Sequence, residues 1–105
     1  MAVIAPARTD NVRTVQITWT SITTADTGGR VDISELEDTK TIHVVGSGTA
    51  QVRLSNDGTN FVNSGSALAA NSMNNISTQA KFLDINPVAT ATVTVILTAN
   101  RRTFR

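Results

Sequence analysis

Asn56-Asp57-Gly58-Thr59-Asn60 stands between Val52-Arg53-Leu54 and Phe61-Val62, and no other stretch of the chain constrains the fold as much. Asp-Gly flanked by alternating apolar residues is the signal of a tight β-hairpin. A type I′ turn needs positive φ at both central positions, and glycine supplies it without steric cost. With Asp57 and Gly58 as the loop, Asn56 opposes Thr59, Ser55 opposes Asn60 and Leu54 opposes Phe61. Two large apolar side chains then meet on one face of an antiparallel sheet.

The rest of the chain carries the same period. Val12 to Thr20 alternates, with Val15, Ile17 and Trp19 on one face and Thr14, Gln16 and Thr18 on the other. Thr20 to Arg30 loses the alternation around Gly28-Gly29 and reads as a loop before a short Val31-Asp32-Ile33 strand. Ser34 to Asp38 begins like a capped helix, but Lys40-Thr41-Ile42 returns to strand chemistry, so one turn is its extent. Thr41 to Val45 and Thr49 to Ser55 form a candidate hairpin across Gly46-Ser47-Gly48. A three-residue loop opposes Val44 to Ala50 and Ile42 to Val52, which keeps the apolar set together. The two hairpins make a meander.

Asn63 to Gln79 is rich in Ser, Asn and Gly, and is expected to wrap the sheet edge. Ala80 to Ile85 reads as a strand stopped by Asn86-Pro87. Thr90 to Ala99 is the longest β-branched strand, with Ala91, Val93, Val95 and Leu97 in phase. About six or seven strands with turns between them imply an all-β fold, a small antiparallel β-sandwich or a closely related barrel. The expected layout is an N-terminal arm over 1–11, a sandwich domain over 12–100 and a basic tail over 101–105.

Composition narrows the chemistry. The 105 residues are enough for one core, and with 16% charged residues and a net charge of +1 there is no basic surface for nucleic acid. Cysteine is missing, so disulfides and thiolate metal sites are excluded. No window reaches the roughly 18 apolar residues of a membrane helix, and Met1 to Arg8 lacks the form of a secretory signal, so a soluble chain made in the cytoplasm is expected.

Catalytic constellations are not apparent. His43 is the single histidine and falls on the outer side of its strand, without the partners that metal or triad chemistry requires. Gly46-Ser47-Gly48 misses the nucleophile-elbow spacing. Asp32, Glu35, Glu37 and Asp38 do not reproduce an EF-hand, and the Asn56 to Asn60 run lacks the downstream glutamate of a calcium loop. Trp19 and Phe61 fall in phase with the core, which leaves little for an aromatic sugar platform. The expectation is a protein that is not an enzyme and has no cofactor or metal. Its candidate partner contacts lie at the two ends: Pro6, Arg8, Arg13, Arg101, Arg102 and Arg105, with Phe104 as an apolar anchor and the arginines forming forked bonds to carboxylates.

The Ser55 to Phe61 run, Ser-Asn-Asp-Gly-Thr-Asn-Phe, resembles a hairpin of small β-rich virion proteins of tailed bacteriophages. The order of an early strand with Trp19, a Gly-rich turn, this hairpin and a terminal Thr/Val strand is similar over roughly 12–100. The resemblance implies a capsid decoration or cement protein on the outside of a phage head, bound to the major capsid protein. It also implies a homo-oligomer, a trimer in preference to a dimer, with no nucleic-acid or membrane partner. The alternative is a tail or head-fibre module that recognises a host surface glycan.

Overall fold

The alternation of Val15, Ile17 and Trp19 with Gln16 and Thr18 folds as the half-buried strand it implies: the first three are fully buried, and their neighbours point outward. The computed structural model describes residues 2–23, 26–87 and 92–102. Its strands are β1 (Ala2–Ile4), β2 (Ala7–Asp10), β3 (Thr14–Thr23), β4 (Asp26–Asp32), β5 (Leu36–Gly46), β6 (Ala50–Ser55), β7 (Val62–Asn63), β8 (Ser72–Ile76), β9 (Phe82–Pro87) and β10 (Thr92–Arg101). They form two five-stranded sheets, ordered β1-β4-β9-β6-β7 and β2-β3-β10-β5-β8. Among the described residues every strand pairing is antiparallel except β1 with β4. The fold is thus an all-β sandwich, with more strands than the turn signals indicate.

The core lies between the sheets. Val15, Ile17, Trp19, Ile42, Val44, Val93, Val95 and Leu97 from the second sheet meet Ala50, Val52, Leu54, Leu83 and Ile85 from the first. Trp19 also donates its indole N–H to the Gly29 carbonyl at 2.8 Å, which satisfies its one polar atom.

Four expectations are corrected. Thr41 to Val45 and Thr49 to Ser55 do not pair. β5 lies between β10 and β8, while β6 lies between β9 and β7, so the chain crosses from one sheet to the other through Gly46-Ser47-Gly48. Ile42, Val44, Ala50 and Val52 all face the core, so their alternation is the same whether they share a sheet or oppose across the interior. Gly46, at φ +131°, makes the crossing, and a Cβ there would collide with the Thr92 carbonyl oxygen.

Gly28-Gly29 is not a loop but the middle of β4. Packing explains the glycine: a Cβ on Gly28 would lie 2.9 Å from Ile85 Cβ and 3.0 Å from Trp19 Cδ1.

The Asp57-Gly58 turn is wider than a two-residue hairpin, and its register differs by one. Leu54 opposes Val62 and Arg53 opposes Asn63, with residues 56–61 between the strands. A type I′ turn needs two positive φ values, and here Gly58 has one (+79°) while Asp57 does not. Local side-chain bonds take over. Ser55 Oγ accepts the Asp57 and Gly58 N–H groups at 3.2 and 2.9 Å, and Asp57 Oδ1 accepts those of Thr59 and Asn60 at 2.9 and 2.8 Å. Phe61 consequently leaves the core and sits half-buried, its ring centroid 5.3 Å from the Arg53 guanidinium carbon.

The N-terminal segment is not an arm. β1 and β2 are the outermost strands of the two sheets, joined through Ala5-Pro6. The 63–79 stretch does wrap an edge: Ser64 N–H donates to the Val52 carbonyl at 2.8 Å, Ala50 and Leu68 exchange two backbone bonds, and β8 then joins the other sheet. Ala91, Phe104 and Arg105 lie outside the described residues.

Candidate functional site

The terminal arginines do come together, but on partners within the chain. Arg8 on β2 bonds Asp10 at 2.8 Å and also pairs with Glu35, Arg101 at the end of β10 reaches Asp10 at 3.2 Å, and Arg102 pairs with Asp38. These pairs raise the Arg8 pKa above its ordinary value, chiefly through Asp10 and then Glu35, and lower that of Asp10 through Arg8. Backbone bonds from Arg101 N–H to the Arg13 carbonyl and from Arg102 N–H to the Glu35 carbonyl close the same end of the sandwich. Pro6 is half-buried in the β1–β2 link. Arg13 has no ion pair among the described residues and stands beside Val12, which is 95% exposed at the β2–β3 turn. Among the described members of the expected contact set, Arg13 is the cation left free for a partner.

Sequence reasoning did not find a second surface, the outward side of the sheet β2-β3-β10-β5-β8. Opposed residues in an antiparallel pair point to the same face, so the register assembles three rows across it. One row runs Ala7, Thr18, Ile96, His43, Met73; a second runs Thr9, Gln16, Thr98, Thr41, Asn75; a third begins with Thr94 and Val45. None of these residues carries a formal charge with His43 neutral, and Glu37 lies beyond the rows toward the start of β5. Ile96 and His43 are half-buried, whereas Met73 is 64% and Val45 37% exposed. The signal was available in the alternation of β5 and β10, but it needed the sheet order to become a surface.

The buried polar residues all find partners. Lys40, 2% exposed, donates Nζ–H to the carbonyls of Asp38 (2.6 Å) and Thr78 (3.1 Å), and burial lowers its pKa. Gln51 donates to the carbonyls of Val52 and Gly65 at 2.9 and 3.3 Å. Asp84 accepts a forked pair of bonds from Arg53 at 2.8 and 2.6 Å, and Ser55 belongs to the Asp57 loop. Among the described residues Arg101 Nε is the one enclosed side-chain nitrogen without a hydrogen-bond acceptor.

A metal centre needs several convergent nitrogen, sulfur or oxygen ligands. Among the described residues no three His, Cys, Asp or Glu side chains stand together, and aliphatic residues and Trp19 fill the space between the sheets.

Two facing sheets whose connections pass repeatedly from one to the other define the jelly-roll class of β-sandwich. Two solved structures agree at the level of fold. An uncharacterised protein with a double-stranded β-helix domain from Klebsiella pneumoniae is 14% identical, with a TM-score of 0.56 over 94% of this chain and 86% of that one. A protein from Thermus thermophilus is 14% identical, with a TM-score of 0.50 over 93% and 86%. A cupin domain from Bordetella pertussis is 20% identical over 90% of each chain, at a TM-score of 0.49. No protein-family model matches the chain, and no curated protein does.

Proposed function

We propose that this chain is a non-catalytic docking module of the capsid-decoration type, which binds the outside of a phage head through the outward side of β2-β3-β10-β5-β8. The observation that carries this reading is the uncharged set of rows around Ile96, His43 and Met73. Loss of charge from the centre of a surface patch is the compositional mark of a protein interface, and methionine is enriched there. Val12 and Arg13 extend the contact at one end of the same sheet. The Ser55 to Phe61 resemblance supplies the virion context, and a trimer is the oligomer proposed. Cosedimentation with phage heads assembled without this protein tests the reading. The wild-type chain is expected to pellet with heads, and Met73→Glu combined with Ile96→Lys to weaken pelleting at least tenfold without altering the fold. No binding by the wild-type chain, or equal binding by the variant, would overturn it.

A further inference from the structure

We infer that a cleft at the β7 edge binds a short neutral oligosaccharide. The cleft measures about 570 Å³, within the roughly 300–1,000 Å³ range of small-ligand sites, and lies between the 56–65 segment and residues 78–80. A second space of about 400 Å³, bordered by Ser34, Lys81 and Arg102, shares Asn56, Gln79 and Ala80 with it.

Three features select the ligand. Asn56, Asn63, Thr78 and Gln79, all exposed, line the cleft, and their side chains make no hydrogen bond among the described residues. Side-chain amides offer donors beside an acceptor, and hydroxyls do both jobs, which matches the paired needs of sugar hydroxyls. Val62, 68% exposed, and the half-buried Ala80 add apolar surface for the C–H face of a ring. In the larger space charge is already spent. Asp57 is the one ionised group lining the larger space, and both of its oxygens are bonded, Oδ1 to Ser55, Thr59 and Asn60 and Oδ2 to the Asn60 amide. In the smaller space Arg102 is paired with Asp38, and Lys81 Nζ lies 5.6 Å from the Phe82 ring centroid.

The walls are also fixed in advance, by the buried Lys40 and Gln51 and by the exposed Arg30. Gln51 holds the Gly65 carbonyl, Lys40 holds the Thr78 carbonyl, and Arg30 holds the Gly58 carbonyl at 2.5 Å. Three side chains anchored on β4, β5 and β6 thus pin the segments around the cleft. A pre-formed site avoids most of the ordering cost of binding.

The test is a heteronuclear NMR titration of the isotope-labelled full chain, with no partner present, so its outcome is independent of docking. The probes are maltotriose, cellotriose, mannotriose, chitotriose and, as the charged comparison, trigalacturonate. At least one neutral trisaccharide is expected to shift the side-chain amide signals of Asn56, Asn63 and Gln79 to saturation. Asn63→Ala and Gln79→Ala, both exposed positions whose spectra report an intact fold, are each expected to weaken binding by roughly tenfold at most, the upper end for one neutral hydrogen bond. The proposal is overturned if no neutral probe saturates, if trigalacturonate alone binds, if the shifts map elsewhere, or if a chain carrying both substitutions binds as well as wild type.

Discussion

Replacing Gly28 with alanine tests whether backbone proximity, rather than turn formation, fixes a glycine at this position. The added Cβ would stand 2.9 Å from Ile85 Cβ, 3.0 Å from Trp19 Cδ1 and 3.1 Å from the Ile85 carbonyl oxygen. Two of these three atoms cannot rotate away. The third belongs to an indole that is fully buried and tied to the Gly29 carbonyl at 2.8 Å. β4 must therefore move off β9. Overpacking of this kind costs roughly 1–3 kcal/mol, and a weakened indole hydrogen bond adds about 1 kcal/mol. A total near 3 kcal/mol lowers the melting temperature by on the order of 12 °C for a domain of this size. Urea unfolding is the assay, with a lower midpoint and an unchanged slope expected. Ile85→Val is expected not to rescue the variant, because valine keeps both the Cβ and the carbonyl. Gly65→Ala is the control: its Cβ meets nothing within 4 Å, so only the left-handed backbone at φ +68° costs anything, about 1–2 kcal/mol. A Gly28→Ala chain within about 0.5 kcal/mol of wild type, or one restored by Ile85→Val, would refute the reasoning.

Two pH effects follow from local bonding. The N–H groups of Asn60 and Thr59, then the Asn60 amide and the Ser55 hydroxyl, hold the Asp57 carboxyl far below its ordinary 3.8. The folded state thus binds fewer protons than the unfolded one, and the stability gained is present above pH 3.8 and lost as pH falls toward the folded value. Denaturation midpoints between pH 4 and pH 2 are expected to fall less steeply in Asp57→Asn than in wild type; parallel profiles would count against the loop bonds. Lys40 acts in the same sense at the alkaline end. Burial lowers its pKa below 10.5, so the folded chain again holds fewer protons, and stability rises as pH climbs toward 10.5. Lys40→Met is expected to flatten that alkaline rise, and a variant that keeps it would show that another group is responsible.

Period-two alternation was readable wherever a strand is buried on one side, as at Val15, Ile17 and Trp19 or Val93, Val95 and Leu97. It does not carry sheet membership. Ile42 and Val52 are both inward whether they are neighbours in one sheet or faces of two, and connection length alone favoured the wrong choice. Gly28-Gly29 looked like a loop because a glycine required by a neighbouring strand and a glycine required by a turn are the same letter. Phe61 moved outward with a one-residue change of register, and that change rests on the Ser55 and Asp57 side-chain bonds. The terminal arginines looked free because Glu35 meets Arg8, Asp10 meets Arg101 and Asp38 meets Arg102 only once β2, β5 and β10 are assembled. The cleft was illegible for a similar reason: Asn56, Asn63, Thr78 and Gln79 are ordinary polar residues until two separate segments face each other.

The order of strands in the two sheets has a consequence for the life of the molecule as a polymer. Thr14 opposes Asn100, 86 positions away, and a single cut at the β5–β6 connection would separate β4 from β9 and both β3 and β5 from β10. No contiguous half of the chain contains a complete sheet. Folding must close long loops before the pairings that reward them, which makes it slow for a domain of this size. Once closed, neither sheet can melt while the other persists, so loss of structure is all-or-none. Two halves made separately would each expose unpaired strand edges, and only together would they rebuild the sandwich.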